Sequence, residues 1–200
     1  MLITSSAQAQ NLFVSDTDGN INEYTPGGVQ STFATGLETP LGLACNSAGD
    51  LFAADDGSDN IYEYTPGGVR STFATGLHTP LGLACNSAGD LFAVDSSGNI
   101  NEFTPDGVES TFATGLGNNT IALAFNGASD LFAADYTGGN IYEFTPGGVQ
   151  STFASGGNPG GLAFQPVPEP SALGLLALGV TALLVHRRPA SFAFNAIGGE

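Results

Sequence analysis

Positive charge is scarce in this sequence. Its 200 residues include three arginines and no lysine, against 19 acidic residues, for a net charge of −16. Proteins that bind nucleic acid hold the phosphates with clusters of Lys or Arg, so the composition excludes nucleic acid as a partner. Only 11% of the residues are charged, against about 25% in a typical soluble domain. Ser, Thr, Asn and Gly must therefore form much of the surface.

Residues that serve catalysis and cross-linking are also rare. The sequence has two histidines, two cysteines and no tryptophan. The histidines, His78 and His186, do not cluster, so neither a Ser-His-Asp nor a Cys-His system is predicted. The 29 glycines follow no Gly-X-Y period, which excludes collagen, and a hydrophobic content of 42% argues against a disordered chain.

The acidic residues are confined to one part of the chain. Residues 10–166 contain 17 of the 19 acidic residues together with Arg70, whereas residues 167–200 are neutral overall. The sequence therefore predicts an acidic body and a neutral tail, which need separate explanations.

The acidic body is a repeat of about 40 residues. A Ser-Thr-Phe-Ala motif recurs at 31–34, 71–74, 110–113 and 151–154. Each unit contains four short apolar runs separated by Gly, Asn, Asp and Pro, and in the second unit these runs are 41–45, 51–54, 61–64 and 69–74. Such runs are typical of strands joined by tight turns. The pattern predicts an all-β fold, a β-propeller of about four four-stranded blades over residues 10–166.

The two ends of the repeat are complementary. The first unit begins at Leu12 with its second strand, and residues 160–164 match the first strand of the other units. We infer that this C-terminal strand completes the N-terminal blade and closes the ring at four blades, which removes the open sheet edges. The alternative is a longer protein with six or more blades.

Residues 40–44, 47–55 and 60–61 resemble the NHL repeat and the related propeller repeats of the SMP-30/gluconolactonase group. This resemblance implies the propeller fold and leaves the function open, because propellers serve many functions. Lactonases of that group hold a divalent metal with Glu, Asn and Asp side chains in the central channel, and no residue of this sequence is matched to those ligands.

The two ends of the chain contain targeting signals. Ala7-Gln8-Ala9 fits a signal peptidase site, so we interpret residues 1–9 as the remnant of a signal peptide, with a chance match as the alternative. Near the other end, Pro168-Glu169-Pro170 is followed by the uncharged apolar run 172–185 and then by Arg187 and Arg188. We predict that this run is a transmembrane helix with the propeller outside the cytoplasm, since Arg residues mark the cytoplasmic side.

Residues 167–188 resemble the PEP-CTERM protein-sorting signal in the order of Pro168-Glu169-Pro170, apolar helix, and Arg187-Arg188. The resemblance implies processing by exosortase, a membrane thiol protease-transpeptidase, and export by a Gram-negative bacterium that makes extracellular polysaccharide. Such signals end just after the basic residues, whereas this chain continues through an irregular tail, 189–200.

Recurrent carboxylates raise the question of a metal site. An Asp ends the second run of every unit, at 16, 55, 95 and 135, and we interpret it as a residue that caps the following turn. The same turns are rich enough in carboxylates to be calcium candidates, although the EF-hand spacing is absent. The candidate ligands are Asp16, Asp18, Asp55, Asp56 and Asp59.

Other recurrent residues are interpreted as structural. Cys45 and Cys85 stand where the other copies have Phe125 and Phe164, which predicts small buried hydrophobic residues, with a disulfide as the alternative. The recurrent aromatic residues are predicted to pack between blades, and the recurrent Glu is predicted at a solvated position. The aromatic positions are 24, 64, 103 and 144, and 33, 73, 112 and 153; the Glu positions are 23, 63, 102 and 143.

These observations predict an exported, non-enzymatic propeller of the cell envelope or extracellular matrix with a structural or binding role. No catalytic residue and no cofactor is assigned, with calcium binding at the turn carboxylates as the alternative. The expected partners are exosortase, the membrane through helix 172–185, and extracellular polysaccharide or envelope proteins. The alternative function is a metal-dependent hydrolase of the SMP-30/gluconolactonase type.

Overall fold

The computed structural model describes residues 10–165, which form antiparallel sheets arranged as consecutive blades. Sheet 1 contains three strands, and sheets 2, 3 and 4 contain four each, always in chain order. The strands are β1 Leu12–Ser15, β2 Ile21–Tyr24 and β3 Gln30–Ala34; β4 Pro40–Cys45, β5 Leu51–Asp55, β6 Asn60–Tyr64 and β7 Arg70–Thr75; β8 Pro80–Cys85, β9 Leu91–Asp95, β10 Ile100–Phe103 and β11 Glu109–Ala113; and β12 Thr120–Phe125, β13 Leu131–Asp135, β14 Asn140–Phe144 and β15 Gln150–Ser155. The predicted all-β propeller of four blades is confirmed, with one strand fewer in the first blade.

The turns follow the chemistry of the repeat. In the Thr-Pro-Gly-Gly turn between β2 and β3, the amide of Gly28 donates to the carbonyl of Thr25 at 2.8 Å, and the amide of Val29 donates to Oγ1 of Thr25 at 3.2 Å. Gly28 has a φ of 79°, which a residue without a Cβ adopts at no steric cost. The same hydrogen bonds recur in the other three sheets, at Thr65, Thr104 and Thr145.

The second strand of each blade forms the centre of the core. All five residues of β5, β9 and β13 are buried, including both the even and the odd positions. A strand without apolar-polar alternation needs cover on both faces, and neighbouring sheets provide most of it. In β1, by contrast, Leu12 is 62% exposed and Val14 is 38% exposed.

Aromatic side chains connect consecutive sheets. Phe33 of sheet 1 lies 5.7 Å from Tyr64 of sheet 2, measured between ring centroids, and Phe73 lies 5.8 Å from Phe103 in the next pair. Phe112 and Phe144 repeat the contact at 5.7 Å. Rings at these distances and tilts attract one another beyond their burial of apolar surface. The prediction that the recurrent aromatic residues pack between blades is confirmed for these six, whereas Phe153 is 61% exposed and contacts Phe132 of its own sheet.

The first strands of sheets 2, 3 and 4 lie side by side at the inner edge of the blades. β4 packs on β8, and β8 packs on β12. A Cβ at Gly82 would lie 2.8 Å from the carbonyl oxygen of Ile121, and a Cβ at Gly42 would overlap that of Leu81. Glycine at these positions is required by the close approach of the neighbouring backbones.

The predicted closure of the ring is wrong for the described residues. Residues 160–164 form no strand, and β1 pairs with β2 alone. Phe164 instead packs on Phe132 of sheet 4, with ring centroids 4.9 Å apart. Phe125 of β12 packs in the same way on Phe92 of sheet 3, at 5.0 Å. Residues 160–164 thus follow sheet 4 as the next inner segment would, and the four sheets form an open arc.

The prediction that both cysteines are buried is wrong for Cys45, which is exposed, whereas Cys85 is half-buried. Both thiols are free. Cys85 lies between sheets that both have an inner strand, while Cys45 faces sheet 1, which has none. Burial raises the pKa of the Cys85 thiol to about 12, with a smaller contribution from the nearby Cys45.

Several predictions fall outside the described residues. They concern the signal-peptide remnant 1–9, the sorting signal 167–188 with its helix 172–185, and the tail 189–200. Within residues 10–165, no helix has the length and apolar character needed to cross a bilayer.

The close approach of the inner strands can be tested at Gly42. We expect Gly42→Ala to lower the free energy of unfolding by about 1–3 kcal/mol, because the added methyl group would overlap the backbone of Leu81. The matched control is Gly27→Ala, where the nearest atom to the added Cβ is Oγ1 of Thr25 at 3.8 Å. Urea unfolding followed by circular dichroism measures both changes, and equal stability of the two variants would contradict the packing described here.

Candidate binding groove

A groove of about 490 Å³ follows the inner strands of the arc. Its floor comes from consecutive inner strands, with Leu41 and Gly42 from β4, Leu81 from β8 and Ile121 from β12. The polar part of its lining lies at the sheet 1 end, where the chain leaves β1 and where it enters β4. The remaining lining residues are Ser15, Asp16, Thr17, Thr39 and Pro40.

The groove is apolar and carries a single titratable side chain. Leu41, Leu81 and Ile121 occupy one repeat position, immediately before the closely packed glycine or Ala122. Leu41 is 44% exposed, which is unusual for a large apolar side chain in the middle of an inner strand. Such a surface can bind an apolar or neutral ligand, and hydroxyl groups of Ser15, Thr17 and Thr39 lie at its rim.

Asp16, the titratable group of the groove, is occupied by its own turn. Its Oδ1 accepts hydrogen bonds from the amides of Asp18 and Asn20, at 2.9 and 3.0 Å, and its Oδ2 accepts from the side-chain amides of Asn20 and Asn22, at 3.3 and 2.9 Å. These donors, first the Asn20 amide, hold the pKa of Asp16 below its ordinary value. The carboxylate therefore stays ionised and is a poor proton carrier near neutral pH.

The recurrent Asp is a capping residue in the other sheets as well. Oδ1 of Asp95 accepts from the amides of Ser97 and Asn99, at 2.9 and 3.0 Å, and Oδ1 of Asp135 accepts from the amide of Gly138 at 2.9 Å. Asp95 and Asp135 are each 3% exposed. The predicted turn-capping role is confirmed for these residues and for Asp16.

Asp55 caps a different segment. Its carboxylate accepts from the amides of Glu38 and Thr39, which precede β4, at 3.0 and 2.6 Å. Its own turn contributes only the hydroxyl of Ser58, at 2.8 Å from Oδ2. In sheet 2 the turn after the second strand is a 3-10 turn, Asp56–Ser58. The Asp55 carboxylate therefore connects this turn, through Ser58, to the loop that precedes β4 of the same sheet.

The calcium candidates are not arranged as one cluster. Oδ1 of Asp59 accepts from the amide of Thr79 at 3.0 Å, in the loop before sheet 3, and Oδ1 of Asp56 is buried without a hydrogen-bond partner among the described residues. Asp18 is exposed in the β1–β2 turn. Within residues 10–165 no three His, Cys, Asp or Glu side chains converge on a point that a metal could occupy. Calcium binding by Asp16, Asp18, Asp55, Asp56 and Asp59 stays a prediction.

A second cleft, of about 220 Å³, lies between sheets 3 and 4. Glu102 reaches into it beside Phe92, Phe112 and Phe125. Burial, with a smaller effect of the nearby Asp90, raises the pKa of the Glu102 carboxyl. The four recurrent Glu residues are all half-buried, so the prediction of a solvated position needs this correction, and Glu102 lies in the cleft between two blades.

The residues of the groove were not among those singled out from the sequence, apart from Asp16. The signal was present at the repeat position of Leu41, Leu81 and Ile121, where a large apolar residue precedes a glycine or alanine. A glycine in a strand often marks the close approach of another backbone. The backbone of the next inner strand then lies against the glycine, and the large apolar side chain before it is left uncovered.

The chain also carries a motif beyond the described residues. Residues 166–188 match the family model of the PEP-CTERM protein-sorting motif. This is a PEP-CTERM sorting motif attached to a propeller. The match confirms the predicted resemblance. The predicted range was 167–188, so the matched range begins one residue earlier and includes the predicted signal residues Pro168, Glu169, Pro170, Arg187 and Arg188.

Solved structures confirm the fold of the body. Virginiamycin B lyase from Staphylococcus aureus is 16% identical, with a TM-score of 0.63 over 72% of this chain and 51% of that one. A streptogramin B lyase is 15% identical, with a TM-score of 0.65 over 74% and 52% of the two chains. A protein described as a gluconolactonase is 18% identical, with a TM-score of 0.68 over 78% and 63%. At these identities the similarity shows the fold alone.

The chain spans about half of the length of the two lyases. No sequence among the curated proteins matches it. The similarity to a gluconolactonase-like propeller nevertheless agrees with the predicted resemblance of residues 40–61 to the SMP-30 group in fold.

The capping role of Asp16 predicts a pH dependence of stability. Because its pKa is lower in the folded protein than the ordinary 3.8, the ionised carboxylate stabilises the fold above pH 3.8, and this contribution is lost as the pH falls through the folded-state pKa. We expect Asp16→Asn to lower the urea midpoint at pH 7 and the difference from the wild type to vanish at about pH 2.

The control for this comparison is Asp18→Asn, which changes an exposed carboxylate in the same turn. Urea titrations followed by tyrosine fluorescence at both pH values measure the effect. A difference between Asp16→Asn and the wild type that is as large at pH 2 as at pH 7 would show that ionisation of Asp16 does not stabilise the fold.

Proposed function

We propose that this protein is an exported β-propeller of the cell envelope or extracellular matrix, delivered by its PEP-CTERM signal, with a binding or structural role. The observation that carries the proposal is the combination of the sorting motif at 166–188 with an axial groove that is apolar and has one titratable side chain, Asp16. The motif supports export, and the groove supports binding more than catalysis.

The sorting signal supplies three separable functions. Pro168-Glu169-Pro170 is the element that exosortase would recognise, and the run 172–185 would hold the chain in the membrane until it is processed. Arg187 and Arg188 would keep the end of that helix on the cytoplasmic side, as basic residues do. The propeller then lies outside the cytoplasm of a Gram-negative bacterium.

The composition of the body supports a binding or structural role. Residues 31–54 and 71–94 differ at only two positions, Glu38/His78 and Ala54/Val94. Sheets 2 and 3 therefore have nearly identical first and second strands, and a repeated unit of this kind suits repeated contacts with a polymer or with envelope proteins. Neutral extracellular polysaccharide fits this surface better than an acidic one, because the body carries almost all of the net charge of −16.

The sorting proposal can be tested by fractionation. We expect replacement of Pro168, Glu169 and Pro170 by alanine to leave the protein uncleaved in the membrane fraction of a host that has exosortase, because the recognition element is lost while the apolar run 172–185 is intact. Immunoblotting of membrane, surface and medium fractions measures the size and the location of the protein.

The matched control is Pro189→Ala, which removes a proline just outside the motif and should be processed as the wild type is. Release of the triple alanine variant at the wild-type rate would refute recognition through Pro-Glu-Pro. Release of the wild type that is unchanged in a host lacking exosortase would refute the role of that enzyme.

A lactonase function is the alternative that the gluconolactonase-like fold suggests. We expect no hydrolysis of sugar lactones by the purified protein in the presence of Ca²⁺, Mg²⁺ or Zn²⁺. The reason is that both oxygens of Asp16, the titratable group of the groove, already accept hydrogen bonds from the β1–β2 turn. A pH-stat assay with and without chelator measures turnover, and lactone hydrolysis that a chelator abolishes would establish the enzyme in place of the binding protein.

A further inference from the structure

The cleft between sheets 3 and 4 is chemically different from the axial groove. The groove lies where the inner strands begin, at Leu81 of β8 and Ile121 of β12, whereas the cleft lies where they end, at Phe125, the last residue of β12. Its volume of about 220 Å³ is below the roughly 300–1,000 Å³ that is usual for sites of drug-sized ligands. The cleft therefore suits a smaller molecule.

Three phenylalanine rings form the apolar wall of the cleft. The ring of Phe92 lies 5.1 Å from that of Phe112 and 5.0 Å from that of Phe125, measured between centroids, with interplanar angles of 88° and 75°. Phe92 is buried, whereas Phe112 and Phe125 are half-buried. The face of an aromatic ring is electron-rich and attracts a cation. This wall can therefore contact a cation as well as an apolar group.

The third ring distinguishes this cleft from its neighbour. Between sheets 2 and 3 the equivalent pair is Phe52 and Phe73, with centroids 4.9 Å apart. The position of Phe125 is taken there by Cys85. The repeat thus supplies an internal comparison, in which the same wall has one ring fewer.

A single carboxylate faces these rings. Of the described residues that line the cleft, Glu102 alone has a charged side chain, and none of residues 10–165 donates a hydrogen bond to it. The equivalent Glu63 of sheet 2 accepts from the hydroxyl of Ser71 at 3.4 Å. Burial, with a smaller effect of Asp90, raises the pKa of Glu102, as expected for a carboxylate that is desolvated without a compensating donor.

The acidic body does not supply the missing positive charge. Arg70 is the one Lys or Arg residue among residues 10–165, and its guanidinium lies over the ring of Tyr62 in sheet 2, 4.9 Å from the centroid. A partly desolvated carboxylate is stabilised by a cation that also donates a hydrogen bond. At this cleft such a group has to come from a ligand.

We propose that the cleft between sheets 3 and 4 binds a compact primary ammonium ion, either a small amine or an amino sugar. The ammonium group would donate to the carboxylate of Glu102, and the carbon part of the ligand would lie against the half-buried rings of Phe112 and Phe125. This binding site is separate from the axial groove and from the sorting motif. Its test is therefore independent of the proposed function.

Isothermal titration calorimetry of the full chain in a non-ionic detergent at pH 7 measures the binding. Butylammonium chloride is the charged probe, and 1-butanol is a neutral molecule of similar size. We expect butylammonium to bind at one equivalent per chain and 1-butanol to bind about tenfold or more weakly, because it lacks the charge. Equal affinities, or no binding of butylammonium, would overturn the proposal.

The carboxylate is tested by Glu102→Gln, which keeps the shape of the side chain. We expect it to weaken butylammonium binding by about tenfold or more, because it removes the charged acceptor. The matched control is Glu63→Gln, which removes the same charge from the same repeat position in sheet 2 and should leave the affinity unchanged. An equal loss in both variants would show that cations gather around the acidic body without a specific site, and the proposal would then be wrong.

The third ring is tested by Phe125→Cys, which introduces the residue that sheet 3 has at the equivalent position, Cys85. We expect the affinity to fall by about threefold or more, since one ring of the wall is lost. Phe164→Cys makes the same change at the position that packs on Phe132, away from this cleft, and should bind as the wild type does. Circular dichroism checks that both variants are folded. A loss with Phe164→Cys as large as that with Phe125→Cys would place the binding elsewhere and overturn the assignment.

Further probes identify the chemistry of the ligand. Tetramethylammonium has the charge but no hydrogen-bond donor, so it should bind about threefold or more weakly than butylammonium; equal affinities would contradict the hydrogen bond to Glu102. Glucosamine should bind more tightly than glucose, which has a hydroxyl in place of the amine, and equal affinities of these two sugars would also count against the proposal. Tighter binding of glucosamine than of butylammonium would support an amino sugar as the ligand, and the reverse order would support a small amine.

Discussion

The second strands of sheets 2, 3 and 4 are apolar on both faces, so they need cover from both sides. The buried strands β5, β9 and β13 show no alternation of apolar and polar residues, and their cover comes from adjacent sheets and not from solvent. Every other feature of the body follows from that stacking. The glycines at 42 and 82 allow the inner strands to approach, and Phe rings from the last strands fill the space between the blades. Where the stacking stops, at β1 and at β15, apolar side chains are left exposed.

The polar residues of the body serve the same stacking. A carboxylate at the end of the second strand accepts hydrogen bonds from backbone amides in every sheet: two each at Asp16 and Asp95, in their own turns, two at Asp55, in a neighbouring loop, and one at Asp135. Buried amides without such acceptors would cost about 1–3 kcal/mol each. The charge of −16 is therefore largely a consequence of copying one capping and turn chemistry several times. It does not mark a single acidic site, and the apolar groove at the inner strands is the surface that distinguishes this body chemically.

Much of this could be predicted from the residues. The predicted runs of the second unit differ from β4, β5 and β6 by one residue at one end and from β7 by one residue at each end, because Gly, Pro and Asn fix the turns locally. The aromatic contacts between blades also followed from the repeat. Two predictions failed at sheet 1, which has no inner strand among the described residues: ring closure by residues 160–164, and burial of Cys45, which was inferred from Phe at the equivalent positions. The groove was missed because the pattern of a large apolar residue before a glycine, as at Leu41, marks an exposed side chain only once the close approach of β4 and β8 is known.

The sequence by itself determined the repeat, the strands, the turns and the sorting motif at 166–188, since each depends on residues that are close together in the chain. Only the tertiary structure decided the curvature of the arc, the partner of each capping carboxylate and the direction in which Phe164 packs. Curvature is set by the sum of small packing angles between whole sheets. A repeat unit specifies each contact with its neighbour, but the number of units that closes a ring depends on the geometry that those contacts produce together.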